Sequence, residues 1–220
     1  MTIEPLRDTK TRFIDLALAY DVLRFGEFEL KSGRISPYFF NAGKFDSGKA
    51  LAILGECYAD ALVASGIKAD VLFGPAYKGI PLVAATAAAL HKKYQLDYPV
   101  CFDRKESKTH GEGGRIVGAD LHGKRVLVLD DVVTAGTAVS QVVDLIQQNG
   151  ASLVGVLVGL DRQEKAVNGD MSAMQQLSTK YEVPVLSIVT LGDIRDHLTD
   201  SVADGDLLER VDAYRGQYGV

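Results

Sequence analysis

Apolar residues along this chain fall into short dense runs, typical of strands that are buried on both faces of a parallel sheet. Between the runs, apolar positions recur at the spacing of amphipathic helices. The runs that predict strands cover residues 71–73, 100–102, 126–129, 153–160 and 185–191, and the predicted helices cover 46–65, 80–94, 138–148 and 172–181, with two short helices after 191. Strands that alternate with helices predict an α/β fold, with a central, mostly parallel sheet flanked by helices.

The N-terminal part has a different pattern. A helix is predicted over 9–23, followed by two short strands over 26–30 and 35–41 with a hairpin turn between them. This hairpin precedes the first buried strand and its helix. We therefore expect a small hood, mainly residues 20–45, that caps the sheet of a single domain spanning residues 1–220.

The stretch 126–138 carries the clearest chemistry. Asp130 and Asp131 come where the buried strand should end, and Thr134-Ala135-Gly136-Thr137 forms a turn into a helix. Ligands of open α/β sheets bind at this edge, and a helix start with successive N–H groups suits an anion. Carboxylates beside it suit hydroxyl groups. The pattern predicts a ribose 5-phosphate site, although a generic nucleotide binder whose acidic pair holds Mg²⁺ or takes a phosphoryl group remains an alternative.

Two further segments place cations near that edge. The loop 74–79 combines glycines with Tyr77 and Lys78, but on its own it is also an ordinary strand-to-helix turn. The segment 103–122 has almost no apolar residues, and we expect a long structureless loop there. Its cations, together with its glycines, suit a lid over a diphosphate, whereas the alternative is a solvated surface; they are Arg104, Lys105, Lys108, His110 and Arg115.

Composition excludes some classes of function. The 220 residues carry a net charge of −5, with a pI near 5.4, which argues against an electrostatic grip on nucleic acid. No apolar run has the roughly 18 residues of a membrane span, and residues 1–5 do not look like a secretory leader. Cys57 and Cys101 are isolated, so we expect reduced thiols in a cytoplasmic protein.

Four segments resemble one family. Residues 126–138 match the phosphoribosyl diphosphate (PRPP) signature of the type I phosphoribosyltransferases, and 74–79 is similar to their pyrophosphate loop. Residues 104–114 resemble the catalytic loop of the orotate-using members, in their dimeric bacterial form. Residues 31–40 resemble the orotate-binding hood, and 161–164 also match. The resemblance runs from about residue 13 to 189, and the last thirty residues hold no motif that we can assign.

The resemblance implies a type I phosphoribosyltransferase fold and the activity of the orotate-using members. Such an enzyme transfers the phosphoribosyl group from PRPP to orotate, yielding orotidine 5′-monophosphate and pyrophosphate in pyrimidine (UMP) synthesis. It implies Mg²⁺ carried mainly on the PRPP diphosphate, and a homodimer whose flexible catalytic loops, about 103–122, reach the neighbouring subunit's site. A purine or uracil phosphoribosyltransferase is the rival enzyme, and a PRPP-sensing regulator without catalysis is the rival of another class.

The resemblance also assigns residues. The catalytic residues implied are Lys105, Lys108, His110, Asp130 and Asp131. Contacts with PRPP are implied for these five and for Lys31, Tyr77, Lys78, Arg104, Val132, Val133, Thr134, Ala135, Gly136, Thr137 and Ala138. Contacts with orotate are implied for Lys31, Phe39, Phe40, Thr134 and Arg162. A guanidinium fork is a suitable receptor for the orotate carboxylate, which is why Arg162 is the candidate for that group.

Overall fold

The computed structural model describes residues 4–108, 114–133, 137–166, 169–201 and 205–220. The helices of these ranges are α1 (Glu4–Ala19), α2 (Gly48–Ser65), α3 (Gly79–Tyr94), α4 (Thr137–Gln148), α5 (Ala173–Tyr181), α6 (Leu191–Ser201) and α7 (Gly205–Tyr218). The strands are β1 (Leu23–Glu29), β2 (Ile35–Phe40), β3 (Val71–Gly74), β4 (Val100–Lys108), β5 (Gly114–Gly118), β6 (Arg125–Val132), β7 (Ser152–Asp161) and β8 (Val185–Thr190).

Six of these strands form the central sheet, in the order β5-β4-β3-β6-β7-β8. The neighbours from β4 to β8 run parallel, and only β5 is antiparallel to its neighbour β4. This confirms the predicted, mostly parallel sheet. The strand β6 lies near the middle, so its carboxyl end opens between the ends of β3 and β7.

Helices cover both faces of the sheet, which explains why β6 is apolar without alternation. Successive side chains of a strand point to opposite faces. Leu127 and Leu129 belong to the apolar core shared with α1, α2 and α3. Val126 and Val128 belong to the core on the other face, with α4 and α5. All four are completely buried.

The predicted ends of α2 are confirmed by local chemistry. Ser47 caps the helix, and its hydroxyl accepts a hydrogen bond from Ala50 N at 3.2 Å. Gly66 ends it in the left-handed conformation, with φ of 70°, which glycine adopts without a steric penalty. This helix therefore carries its own start and stop signals.

The predicted hairpin is confirmed, since β1 and β2 form a separate antiparallel pair, and we keep the name hood for this N-terminal part. The predicted first helix is displaced, because α1 ends at Ala19 and Asp21 takes a positive φ of 54° before β1 begins. Within the ranges given above, no helix combines the length and the apolar character that crossing a bilayer requires.

The prediction of a structureless loop over 103–122 is wrong in part. The strand β4 continues to Lys108, and β5 returns beside it, with Asp103 opposite Ile116 and Lys108 opposite Gly114. Residues 109–113, between the two strands, lie outside the described residues. The pair forms the edge of the sheet, where strands need little apolar surface, so their polar sequence does not show the pattern of a buried strand.

Candidate active site

Asp130 and Asp131 occupy the carboxyl end of β6, where the sequence predicted a ligand. Asp130 Oδ1 accepts from Asp131 N at 2.9 Å, and Asp131 Oδ1 accepts from Val132 N at 2.9 Å. The hydroxyl of Tyr58, on α2, donates to the backbone oxygen of Asp130 at 2.7 Å. Sequence reasoning missed Tyr58, because a tyrosine on the apolar face of a helix looks like any core residue.

Burial makes the Asp130 carboxyl group an unusually weak acid. Desolvation, reinforced by the neighbouring charge of Asp131, raises the pKa of Asp130 to about 7. The Asp130 carboxyl group therefore gains and loses its proton near neutral pH. It accepts hydroxyl donors most strongly in the ionised form, which becomes dominant above that pH.

The shifted pKa of Asp130 predicts an effect on stability. Because the folded pKa lies above the unfolded value, the unfolded state ionises first, and the free energy of unfolding falls as pH rises from about 4 to about 7. Asp130→Asn removes this penalty and keeps an oxygen for Asp131 N. We expect the variant to be more stable than the wild type by roughly 2–4 kcal/mol at pH 8, with a smaller advantage at pH 5.

Urea unfolding of both proteins at pH 5 and pH 8 measures this difference. Asp70→Asn is a contrasting control, because Asp70 lies at the amino end of β3 and Arg125 lowers its pKa to about 2, so its replacement should destabilise the protein at pH 8. An Asp130→Asn variant that is no more stable at pH 8 would contradict the proposed burial of charge.

Lys78 lies directly opposite the acidic pair. Its Nζ donates to Asp131 Oδ2 at 2.7 Å, while about half of the lysine side chain is exposed. The loop that carries it is tight: a Cβ on Gly74 would collide with the backbone of Gly79. Ala76 N donates to Asp103 Oδ1 at 2.6 Å, which ties the loop to β4. Tyr77, in the same loop, is largely exposed.

A cavity of about 120 Å³ lies beside this ion pair. Its apolar lining includes Phe13, Phe40 and Phe45, and its charged lining is Lys78 and Asp131. An enclosed apolar cavity of about 150 Å³ admits a benzene ring, and this somewhat smaller space is of the same order of size. The cavity therefore places an apolar ring pocket next to a cation and a carboxylate.

The two adjacent phenylalanines of β2 have different surroundings. Phe40 lines the cavity, with its ring centroid 6.3 Å from that of Phe13. Phe39 stacks on Phe28 at 5.5 Å, with the Arg24 guanidinium 5.8 Å from its ring. Neighbouring residues of a strand point to opposite faces, so both rings cannot enter one pocket. Only Phe40 of the two therefore lines this cavity, and the predicted contacts of Phe39 and Phe40 with orotate stay predictions.

Arg162 follows β7 and lies in a largely buried polar cluster. Its Nε donates to Glu164 Oε1 at 2.9 Å and to the Tyr38 hydroxyl at 3.1 Å. The Tyr38 hydroxyl in turn donates to Glu164 Oε1 at 3.0 Å. Glu164 belongs to the segment 161–164 that resembles the family, but the sequence predicted no role for it. Tyr38 had no sequence signal beyond its place in the hood.

The remaining predicted site residues divide into three groups. Lys31 is exposed in the hairpin turn, Arg104 lies on β4 with intermediate exposure, Val132 is half-buried and Val133 is buried in the core. Lys105 and Lys108 lie on β4, and Thr137 and Ala138 begin α4; only their backbone is described. His110, Thr134, Ala135 and Gly136 lie outside the described residues. Their assigned roles stay predictions.

Comparison with known proteins gives consistent matches. A profile of the phosphoribosyl transferase domain matches residues 42–186. An orotate phosphoribosyltransferase of Edwardsiella ictaluri is 56% identical over 209 residues, 95% of this chain and 97% of that protein. One from Escherichia coli is 53% identical over 215 residues, 98% of this chain and 100% of that protein. A crystal structure of orotate phosphoribosyltransferase from Francisella tularensis is similar with a TM-score of 0.87 at 46% identity, covering 94% of this chain and 99% of that one.

Proposed function

The chain belongs to the orotate phosphoribosyltransferases of the phosphoribosyl transferase family, and from that membership we propose how its residues carry the reaction. The enzyme transfers the phosphoribosyl group from PRPP to orotate, yielding orotidine 5′-monophosphate and pyrophosphate. The observation that best supports our choice of site is the cavity beside Lys78 and Asp131, at the carboxyl end of β6.

Ribose binding is proposed at the acidic pair. Asp130 and Asp131 accept hydrogen bonds from the ribose hydroxyls, and these bonds are strong because the acceptors are charged. The backbone of 132–138 and the start of α4 cradle the 5-phosphate, since a helix N-terminus presents free N–H groups and a positive dipole end. The two substrate groups are then held a few ångströms apart, as the ribose ring requires.

The departing diphosphate needs cations. Bond cleavage leaves positive charge on the sugar and negative charge on the leaving group, so fixed charges and exclusion of water lower the barrier. We propose that Lys78 moves from Asp131 to the diphosphate when PRPP binds, which frees the Asp131 carboxylate for a hydroxyl. The other groups proposed around the diphosphate are Lys31, Tyr77, Arg104, Lys105, Lys108 and His110.

Lys78→Gln should lower kcat/KM for PRPP by about 10- to 100-fold, the equivalent of one charge-assisted hydrogen bond. Steady-state rates at varied PRPP measure the loss. Lys78→Arg, which keeps the charge, is the control and should recover part of the rate. Equal loss in both variants would show that the role of Lys78 depends on its shape rather than its charge.

Magnesium is proposed to enter with PRPP. Among the described residues, no group of three or more His, Cys, Asp or Glu side chains is placed to hold a metal ion. The acidic pair offers carboxylate oxygens, which are ligands that Mg²⁺ accepts, but Asp131 is already paired with Lys78. An ion bound mainly by the diphosphate fits this donor set, and when bound it supplies positive charge to the leaving group.

Base recognition is proposed to combine the hood with Arg162. Phe40 lines the ring pocket, Lys31 and Thr134 are the further candidates near the base, and Arg162 receives the orotate carboxylate. Phe39, which stacks on Phe28, would support the hood from its other face. A purine is larger than the base proposed for this pocket, and uracil has no carboxylate for Arg162.

An absorbance assay of orotate consumption, with PRPP and Mg²⁺ and with each omitted in turn, tests the function. We expect turnover only when all three are present. Uracil and hypoxanthine, offered in place of orotate, should react far more slowly. A comparable rate with either base would instead favour a purine or uracil phosphoribosyltransferase.

We propose that the active protein is a homodimer in which the β4–β5 segment of one subunit serves the other's site. A mixture of Asp131→Asn and Lys108→Ala subunits tests this. Shared sites predict about a quarter of wild-type activity, because half of the dimers are mixed and each has one complete site. Absence of recovery, or sedimentation of an active monomer, would contradict the proposal.

The unpaired, buried Cys57 and Cys101 support a reducing, cytoplasmic location.

A further inference from the structure

Glu164 connects the base-recognition residue to the hood and to the end of the chain. Its Oε1 accepts hydrogen bonds from Arg162 and Tyr38, and its Oε2 lies 3.5 Å from Arg34 Nη1. The side chains of Arg34, Arg162 and Glu164 are each less than a fifth exposed. This cluster therefore holds two cations and one anion away from most solvent.

The contacts use only one edge of the Arg162 guanidinium. Nε donates to Glu164 Oε1 at 2.9 Å, and Nη2 lies 2.7 Å from the same oxygen. Both nitrogens belong to the side edge of the fork. Nη2 is nevertheless buried without a hydrogen-bond partner among the described residues. Since a guanidinium carries five N–H donors in a rigid plane, fixing the side edge also fixes where the Nη1/Nη2 edge points.

The C-terminal segment, residues 218–220, contacts the backbone of the residues around Glu164. Glu164 pairs with Gly219 in an antiparallel bridge, Lys165 N donates to Tyr218 O at 2.8 Å, and Val220 N donates to Gln163 O at 3.0 Å. The Arg34 guanidinium lies 4.7 Å from the centre of the Tyr218 ring. The final residues of the chain therefore secure the segment that carries Glu164.

The strand β2 contributes one residue to the cluster and another to the lining of the ring pocket, although Arg162 and Tyr38 do not line the pocket themselves. Tyr38 contacts Arg162, and Phe40, on the same face of β2, lines the pocket. Two residues of a strand span about 7 Å, which is close to the width of a substituted pyrimidine. A ring seated against Phe40 could therefore present a substituent to the free edge of Arg162.

Charge balance points to an anionic substituent. Two guanidinium groups and one carboxylate leave one positive charge that is poorly solvated, and a second carboxylate would neutralise it. An uncharged base would leave this charge without a partner, a penalty that makes such sites selective.

We propose that Glu164 is a positioning residue that turns the Nη1/Nη2 edge of Arg162 toward the carboxylate of the base, with the C-terminal segment holding Glu164 in place. This inference rests on the proposed role of Arg162 in orotate binding. It makes Glu164 a determinant of specificity that acts through Arg162 and contacts no substrate atom.

Steady-state kinetics of Glu164 variants test the proposal. Glu164→Ala frees the side edge of Arg162 and should raise KM for orotate about 10-fold or more, with KM for PRPP unchanged. Glu164→Gln keeps an oxygen acceptor and should restore KM to within about threefold of the wild type. Glu164→Asp withdraws the carboxylate by one methylene and should also raise KM for orotate. This variant tests the proposal in case Glu164→Ala does not fold.

Asp212→Asn is the matched control, because Asp212 lies on α7, the helix that leads to the C-terminal segment, and forms a surface ion pair with Arg195 of α6. It should leave both KM values unchanged. Three results would overturn the proposal: an unchanged KM for orotate in the alanine and aspartate variants, an equal rise for both substrates, or a fall for orotate, which would show that Glu164 competes with substrate for Arg162. Absence of orotate turnover in the wild type would instead refute the proposed function.

Discussion

Replacement of Asp130 and Asp131 by asparagine together is expected to weaken PRPP binding at least 100-fold. Each carboxylate-to-hydroxyl hydrogen bond is worth about 1.5–3 kcal/mol, and the pair therefore about 3–6 kcal/mol. Asparagine keeps one acceptor oxygen but loses the charge, so the lower end of that range is the safer expectation. Calorimetric titration with PRPP and Mg²⁺ measures the loss directly.

Protein stability separates this effect from unfolding. Because Asp130 is buried with its pKa raised to about 7, its replacement should stabilise the protein at pH 8 while binding is lost. Asp70→Asn should bind PRPP normally, because Asp70 lies at the amino ends of the parallel strands, away from the acidic pair. Normal PRPP affinity in the double variant would exclude the acidic pair as the ribose clamp.

The same carboxyl group predicts a pH dependence in the wild type. Below pH 7 the Asp130 carboxyl is mostly protonated and accepts hydroxyls more weakly, so affinity for PRPP should rise as pH increases from 6 to 8. This rise should be smaller in Asp130→Asn, since asparagine has no proton to release and only the phosphates of PRPP still ionise in this range.

The central unit of the site was predictable because its signals are local. A run of four apolar residues, an acidic pair and a glycine-containing turn fix strand, edge and helix within thirteen positions. The start and stop of α2 were equally local, at Ser47 and Gly66. Each of these features depends on chemistry within a few residues, which a single sequence displays.

Features that depend on distant pairs were not predictable. Tyr58 supports Asp130 from 72 positions away, and Tyr38 reaches Glu164 across 126. Neither pairing has a periodicity or a spacing that a sequence reveals. The β4–β5 edge was missed for a related reason: its strands are defined by pairing with each other rather than by apolar residues.

Substitution of Arg162 should separate recognition of the base from recognition of the sugar. Arg162→Met is expected to lower kcat/KM for orotate about 100- to 1,000-fold, since it removes both bonds of a charged fork. KM for PRPP should change little, because Asp130, Asp131 and Lys78 are untouched. Rates measured with each substrate varied in turn give the two values.

Two further variants show which property of Arg162 matters. Arg162→Lys keeps the charge without the planar fork and should recover only a small part of the loss. Arg24→Met removes another arginine of the hood, one that lies over Phe28 and Phe39 on the other face of β2, and should leave orotate use near normal. If Arg162→Lys were fully active, charge alone would select the base. The orientation of the Arg162 guanidinium by Glu164 would then have no effect on specificity. If Arg24→Met were as damaged as Arg162→Met, the base would be bound on the Phe39 face instead.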